Sequence, residues 1–408
     1  MISLSSTTRK HLILTGKNGS GKTSLLLALK QFLQNIDNGA YAHYNNYQSN
    51  YEKIKKQLSE IPLSQEHKVY PVHGGPIKVN QKQMEAHLQS QLASALNTIK
   101  QFGGVKIDFN VPVALQKEFK EGNFIIAFFE AKRNTNLEIP KGITKVKLKK
   151  YYSIIETARQ EFIQYIVNLK ADRSFARDEG DEGTVAKIDE WFQVFEKNLF
   201  KLFDIDSMAL SFDRKSYNFN IIEPGKAPYN LNQLSDGYSA ILSIVTELIL
   251  RMEEHRTKSY DVQGVVLVDE IETHLHIELQ KRILPFLTAF FPNIQFIVST
   301  HSPFVITSIQ NAVICDLEKK VVTTDLSGYS YDTIVESYFD SDKYSSVLKM
   351  KIDEYEKLLA RRTQLNNDEK KSLSSLIEYL ESIPKYLSDE FAVKMQQIKL
   401  RQLDDRKG

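Results

Sequence analysis

The sequence predicts an α/β fold, with short buried strands, a helical insertion and a charged helical pair near its C-terminal end. Three observations predict it. The apolar run His11–Thr15 stops at a glycine-rich turn, and a helical pattern follows from Thr23 to Leu33. Two more apolar runs, Val265–Val268 and Phe296–Val298, are too short for helices and suit strands covered on both faces. Helical patterns stand between the runs, as an α/β core requires.

Taken in order, the residues justify each element. Leu25, Leu26, Leu29 and Phe32 mark one face of the first helix. Residues 41–80 are rich in Tyr, Asn, Lys and Gln with little periodicity, and read as irregular and exposed. Met84, Leu88, Leu92, Leu96 and Ile99 keep helical spacing up to Gly103-Gly104, and Val105, Ile107 and Phe109 alternate like a half-buried strand. Phe124–Phe129 reads as another buried strand. Ile155, Phe162, Ile166 and Leu169 mark one helix, and Trp191, Phe195, Leu199 and Phe203 a second. The acidic stretch 178–182 is the loop between them. Leu210 and Phe212, then Tyr217, Phe219 and Ile221, alternate across residues 213–216 as a hairpin. Ile241, Val245 and Leu248 mark a helix before the Val265 strand. After Tyr344 the pattern is helical and charged, with a break at 366–368 and Pro384 opening or interrupting a last segment.

Composition excludes several classes. The chain has 408 residues, 42% hydrophobic and 25% charged, which is ordinary for a globular protein. Fifty-three basic against 51 acidic residues leave a net charge of +2, so any polyanion contact must be local. The one cysteine, Cys315, cannot form an internal disulfide, and a reducing cytoplasm is the expected setting. No apolar run is long enough to span a bilayer and no secretory leader is visible, so no membrane partner is expected.

Four motifs carry chemistry. Gly16-Lys17-Asn18-Gly19-Ser20-Gly21-Lys22-Thr23, followed by Ser24, fits the phosphate-loop pattern in full. Its glycines let backbone amides cradle phosphate oxygens, Lys22 supplies charge, and the Thr23 hydroxyl suits Mg²⁺. The Val265–Val268 run ends in Asp269-Glu270: one carboxylate to hold the metal and one to take a proton from water. Ser235 and Gly237 open a helix and form either a second anion site or a plain N-cap. His301, in Ser299-Thr300-His301-Ser302-Pro303, stands at a strand end where it can meet a γ-phosphate. The expected ligands are therefore ATP and Mg²⁺.

In this order the motifs resemble the ABC-type ATPase heads of the SMC and RecF group, and most of all compact heads of the overcoming-lysogenisation-defect type. Residues 11–34 and 205–316 carry the resemblance, including Asp269-Glu270-Ile271-Glu272-Thr273-His274-Leu275-His276. It implies a mixed sheet, with 1–34 and 205–343 as the two parts of the core, 35–204 as an insertion lending strands near 105–129, and 344–408 as a helical tail. It implies that Ser235 and Gly237 close over the γ-phosphate held by another subunit, in a homodimer or larger homo-oligomer, with Glu270 as base and His301 as sensor. Ile271 stands where proline is usual, and no Q-loop glutamine is evident. Arg133 resembles a basic position that such heads place near the nucleotide. His274, His276 and Glu272 read as interface residues rather than metal ligands.

Similar ATPases serve Septu, PARIS and retron-linked anti-phage operons, which implies an effector, a nuclease or toxin, on a separate chain. No Toprim or His-Asn-His pattern follows the core. The alternative is a DNA-repair or chromosome-associated ATPase, which would carry long heptad arms that 35–204 lacks. Lys141, Lys145, Lys147, Lys149 and Lys150 form a local basic run, a solvated face by default and a nucleic-acid surface as the sharper reading.

Overall fold

The computed structural model describes residues 2, 4, 8–60, 67–69, 77–79, 81–109, 112–133, 135–203, 207–253, 260–338 and 346–382. In chain order the larger elements are β1 (His11–Thr15), α1 (Lys22–Asp37), α2 (Tyr44–Ser59), β2 (His67–Val69), β3 (Ile77–Val79), α3 (Gln81–Lys100), α4 (Pro112–Lys120), β4 (Phe124–Phe129), α5 (Phe162–Asp178) and α6 (Glu182–Phe203). There follow β5 (Ala209–Asp213), β6 (Asn218–Ile222), β7 (Tyr229–Asn230), α7 (Asp236–Glu253), β8 (Gln263–Val268), α8 (Ile277–Phe290), β9 (Ile294–Ser299), α9 (Pro303–Ile306), β10 (Ala312–Asp316) and β11 (Val321–Thr324). The last are α10 (Tyr331–Thr333), α11 (Ser346–Ala360) and α12 (Asn367–Glu381). Chain contacts divide the molecule into residues 1–329 and 330–408.

The central sheet has the order β11-β10-β1-β9-β8-β4. Neighbours are parallel except β10 and β11, so the sheet is mixed, as expected. The apolar runs become its inner strands because both faces are covered. Leu12, Leu14, Val265, Leu267, Ile297, Val313 and Cys315 share one cluster with Leu26, Leu29, Phe32 and Leu33 of α1. The alternate residues Ile13, Val266, Val298 and Ile314 point the other way and are also buried. Each such side chain contributes about 1.5–3 kcal/mol by leaving water.

β5, β6 and β7 form a separate antiparallel sheet, and β2 pairs with β3. The hairpin predicted across 213–216 is present, with Tyr217 in the left-handed region at φ 50°. Three expectations are corrected. Residues 44–59 are helical rather than irregular; only Tyr44 and Ile54 of that helix are buried, so it shows no apolar stripe. Residues 105–109 form no strand, though Val105, Ile107 and Phe109 pack against the α1 cluster. Ile155 is exposed and the helix begins at Phe162, after a short 3-10 turn.

The C-terminal unit contains a helical hairpin. Ile352, Tyr355, Leu358 and Leu359 of α11 pack with Leu373, Leu376 and Leu380 of α12. Asn366 caps α12 through a reciprocal pair of bonds with Glu369. The segment opened by Pro384 lies outside the described residues. No described helix is long and apolar enough to cross a membrane.

Candidate nucleotide site

The sheet topology brings the motifs together. β1, β9 and β8 are parallel neighbours, so the residues following each emerge at one edge. The glycine-rich loop follows β1, Ser299 ends β9, and Asp269-Glu270 follows β8. Thr23 Oγ donates to Asp269 Oδ1 at 3.3 Å, and Ser299 Oγ donates to the same oxygen at 2.5 Å. The Ser299 hydroxyl also accepts from Glu270 N at 2.7 Å. The sequence pattern assigns Ser299 no role. Its type and its place before His301 were visible, but its bridging position depends on strand order.

The loop is built for anions. Gly16, Gly19 and Gly21 have φ of 128°, 83° and 95°, a region that side chains rarely adopt. At Gly16 a Cβ would also stand 2.8 Å from Ser20 Oγ. α1 begins with no side-chain cap and no acidic residue in its first turn, which leaves its amides for a ligand. Ser20 Oγ is buried without a partner. Asn18 and Ser24 are exposed on the loop and the first turn.

Lys22 is buried and donates to Gly16 O at 2.8 Å and Lys17 O at 3.1 Å. Burial lowers its pKa, while Glu270, Glu272, Asp269 and Asp316 pull it upward. Lys17 pairs with Glu318 beyond β10, tying the exposed flank of the loop to the sheet.

The acidic turn is held in an unusual conformation. Glu270 has φ 42° and His274 φ 65°. The Glu270 carboxylate accepts from Thr273 Oγ at 3.3 Å. Glu272 accepts from His301 N at 2.5 Å, and His301 Nε2 is buried with no partner. Arg133, expected near the nucleotide, is buried under the acidic turn and donates to four backbone carbonyls: Glu130 at 2.9 Å, Asp269 at 2.6 Å, Glu270 at 3.0 Å and Ile271 at 3.1 Å. Burial lowers its pKa to about 10 against the pull of Glu272, Asp269 and Glu270.

Ser235 and Gly237 lie elsewhere. They line a cleft of about 540 Å³ with His274, His276 and Arg282, and no residue of the glycine-rich loop lines it. Gly237 is buried, and a Cβ there would stand 2.9 Å from His274 O. Among the described residues no group of three His, Cys, Asp or Glu is placed to hold a metal, the Glu272-His274-His276 set included. In the basic run, Lys141, Lys145, Lys147, Lys149 and Lys150 are exposed, and Lys149 pairs with Glu156.

A capless helix after a glycine loop, facing an acidic strand end across a bridging serine, defines a phosphate-loop nucleotide-binding protein. The chain belongs to the AAA ATPase domain family, whose model matches residues 78–306. It is 30% identical to the protein named retron Ec83 probable ATPase from Escherichia coli over 39% of this chain and 31% of that one. It is 42% identical to Septu protein PtuA from Bacillus mycoides (strain KBAB4) over 18% of this chain and 10% of that one. It is 35% identical to retron Vc95 probable ATPase from Vibrio cholerae serotype O1 biovar El Tor over 26% and 21%. The chain thus spans about a third or less of each of these three relatives. Among solved structures, an SMC head bound to the winged-helix domain of ScpA aligns over 78% of this chain and 92% of that one, with TM-score 0.33 and 13% identity.

Proposed function

We propose that the protein is a Mg²⁺-dependent ATPase that closes head to tail on two ATP molecules and thereby controls a separate effector, a nuclease or toxin, in bacterial defence against phage. One observation carries the catalytic part. Three neighbouring strand ends place Thr23, Ser299, Asp269 and Glu270 in one bonded group beside an open phosphate loop.

The residues fit a magnesium ion. The Thr23 hydroxyl and the Asp269 carboxylate are hard oxygen donors, 3.3 Å apart. When bound, the ion would neutralise charge on the β- and γ-phosphate oxygens. The remaining roles belong to the chain. Lys22 exchanges the carbonyls of Gly16 and Lys17 for phosphate oxygens. Amides of the loop and of the first turn of α1, through Ser24, take the other oxygens. Glu270 orients the attacking water and accepts its proton. His301, whose Nε2 lacks a partner, hydrogen-bonds the γ-phosphate.

The cleft at Ser235 and Gly237 supports closure between subunits, because it lies apart from the chain's own phosphate loop. The defence role rests on the resemblance to Septu and retron ATPases. α2 and α3 are 16 and 20 residues long, at most ~30 Å. That is short for the arms of a chromosome-organising ATPase, which favours the sensor reading. The direct test measures phosphate release with Mg²⁺ and with EDTA, and mass by light scattering with a slowly hydrolysed ATP analogue. Metal-dependent turnover and a doubled mass support the proposal; turnover by a species that stays monomeric sinks the composite site.

A further inference from the structure

Arg133 uses an expensive group in an unexpected way. A buried guanidinium is usually matched by a carboxylate, yet this one donates to the carbonyls of Glu130, Asp269, Glu270 and Ile271. Three of those four acceptors form the turn that carries Glu270. That turn needs support, because a left-handed φ at a glutamate costs roughly 1–3 kcal/mol and persists only where its surroundings over-determine it. Arg133 holds the turn by its carbonyls, while Ser299 holds the Glu270 amide.

The chain continues from Arg133 to the other half of the site. Thr135 N donates to Ser239 Oγ at 2.8 Å, and the Thr135 hydroxyl donates to Ser239 O. Ser239 lies in the first turn of α7, and its amide donates to Ser235 O at 2.9 Å. Leu137 exchanges two bonds with the Asn232 side chain, at 3.0 and 2.8 Å, just ahead of Ser235. Within a few residues the chain therefore grips the Glu270 turn and then the loop that opens α7. We infer that Arg133 is a positioning residue for Glu270, and that Thr135 and Leu137 tie this position to the Ser235 loop, so that engagement of the loop is felt at Glu270.

The inference rests on the reading of Glu270 as the group that takes the proton from water. Arg133→Lys keeps the charge but loses the planar fork. It should lower kcat about 10-fold or more, since a shift of about 1 Å in a catalytic group can cost 100-fold, while KM and ATP affinity stay within about 2-fold. Adding Glu270→Gln should bring little further loss compared with Glu270→Gln alone, because both changes act through one group. Fully multiplicative losses, or a wild-type kcat in Arg133→Lys, overturn the positioning role. A wild-type rate in Glu270→Gln alone overturns the reading of Glu270 and the inference with it. If Arg133→Lys fails to fold by circular dichroism, Asn232→Ala and Thr135→Val carry the test. They leave Arg133 in place and should lower kcat about 3–10-fold at unchanged ATP affinity, each loosening the strap by one or two hydrogen bonds. Wild-type kcat in both discards the strap.

Discussion

The helices α1 and α7 both begin at a glycine-containing turn, and they differ in what surrounds them. α1 starts uncapped, with Lys22 as its buried first residue and Asp269 bonded to its first-turn threonine. α7 starts at exposed Ser235 with Asp236 in its first turn, and is then wholly buried from Ala240 to Glu253. The first has a cation, carboxylates and open amides within a few ångströms. The second has a buried shaft and an exposed tip, with Asp236 as the carboxylate of its opening turn and no lysine in that turn. One start has a lysine and carboxylates gathered about it, whereas the other lines a cleft that no residue of the glycine-rich loop enters. A helix N-terminus becomes a site through its neighbours, not through its dipole alone.

The largest break in the comparison comes from Glu270→Gln. Turnover should fall by roughly 10²–10⁴, the usual worth of a general base, with ATP still bound and the closed dimer trapped. Single-turnover phosphate release and light scattering read this out, and undiminished turnover would remove Glu270 from the mechanism. Lys22→Ala should weaken ATP binding about 100-fold, because a hydrogen bond to a charged group is worth about 1.5–3 kcal/mol and the charge itself is lost. Equilibrium binding of a fluorescent ATP analogue checks it.

Ser235→Arg acts on the other helix start and should leave that binding within about 2-fold while lowering kcat about 100-fold, the scale of losing one preorganised donor. Mixed with Lys22→Ala protein, it should leave at most one complete site per dimer. A wild-type rate in Ser235→Arg alone would show that each chain hydrolyses by itself.

The smallest effect concerns β1, which carries the phosphate loop. His11 is buried with Nδ1 accepting from Phe296 N, and burial first, then Arg9, lowers its pKa to about 4. The fold holds the neutral ring, so this contribution is complete above the unfolded value of 6.5 and is lost as pH falls toward 4. Between pH 7 and 5.5 the loss should be about 1 kcal/mol, seen as a lower melting temperature. His11→Gln should flatten that slope; an unchanged slope would assign it to other groups.

What could be read from the sequence followed from local causes. The phosphate loop needs its glycines at fixed spacing, and the buried strands need consecutive apolar residues, so both announce themselves. α2 does not, because a helix with two buried residues carries no stripe. α8 holds Pro285 in its interior, a residue that argues against a helix, yet Leu279, Ile283, Leu284 and Leu287 bury one face. β10 is wholly buried but includes Cys315 and Asp316, which dilute its apolar run. The partners of Ser299 and Arg133 were hidden for another reason. They lie 30 and 136 residues away, at Asp269, and only the order of β4, β8 and β9 in the sheet brings them together.

Cys315 lies on β10, between β1 and β11, at 6% exposure, and burial followed by Asp316 raises its thiol pKa. Alkylating dyes react with thiolates they can reach, so the native sulfur should stay silent toward them. The chain is therefore ready for optical labelling without removal of its own cysteine. A Glu182→Cys variant, on the exposed start of α6, would carry one fluorophore per copy, and energy transfer between copies would report whether ATP brings them together.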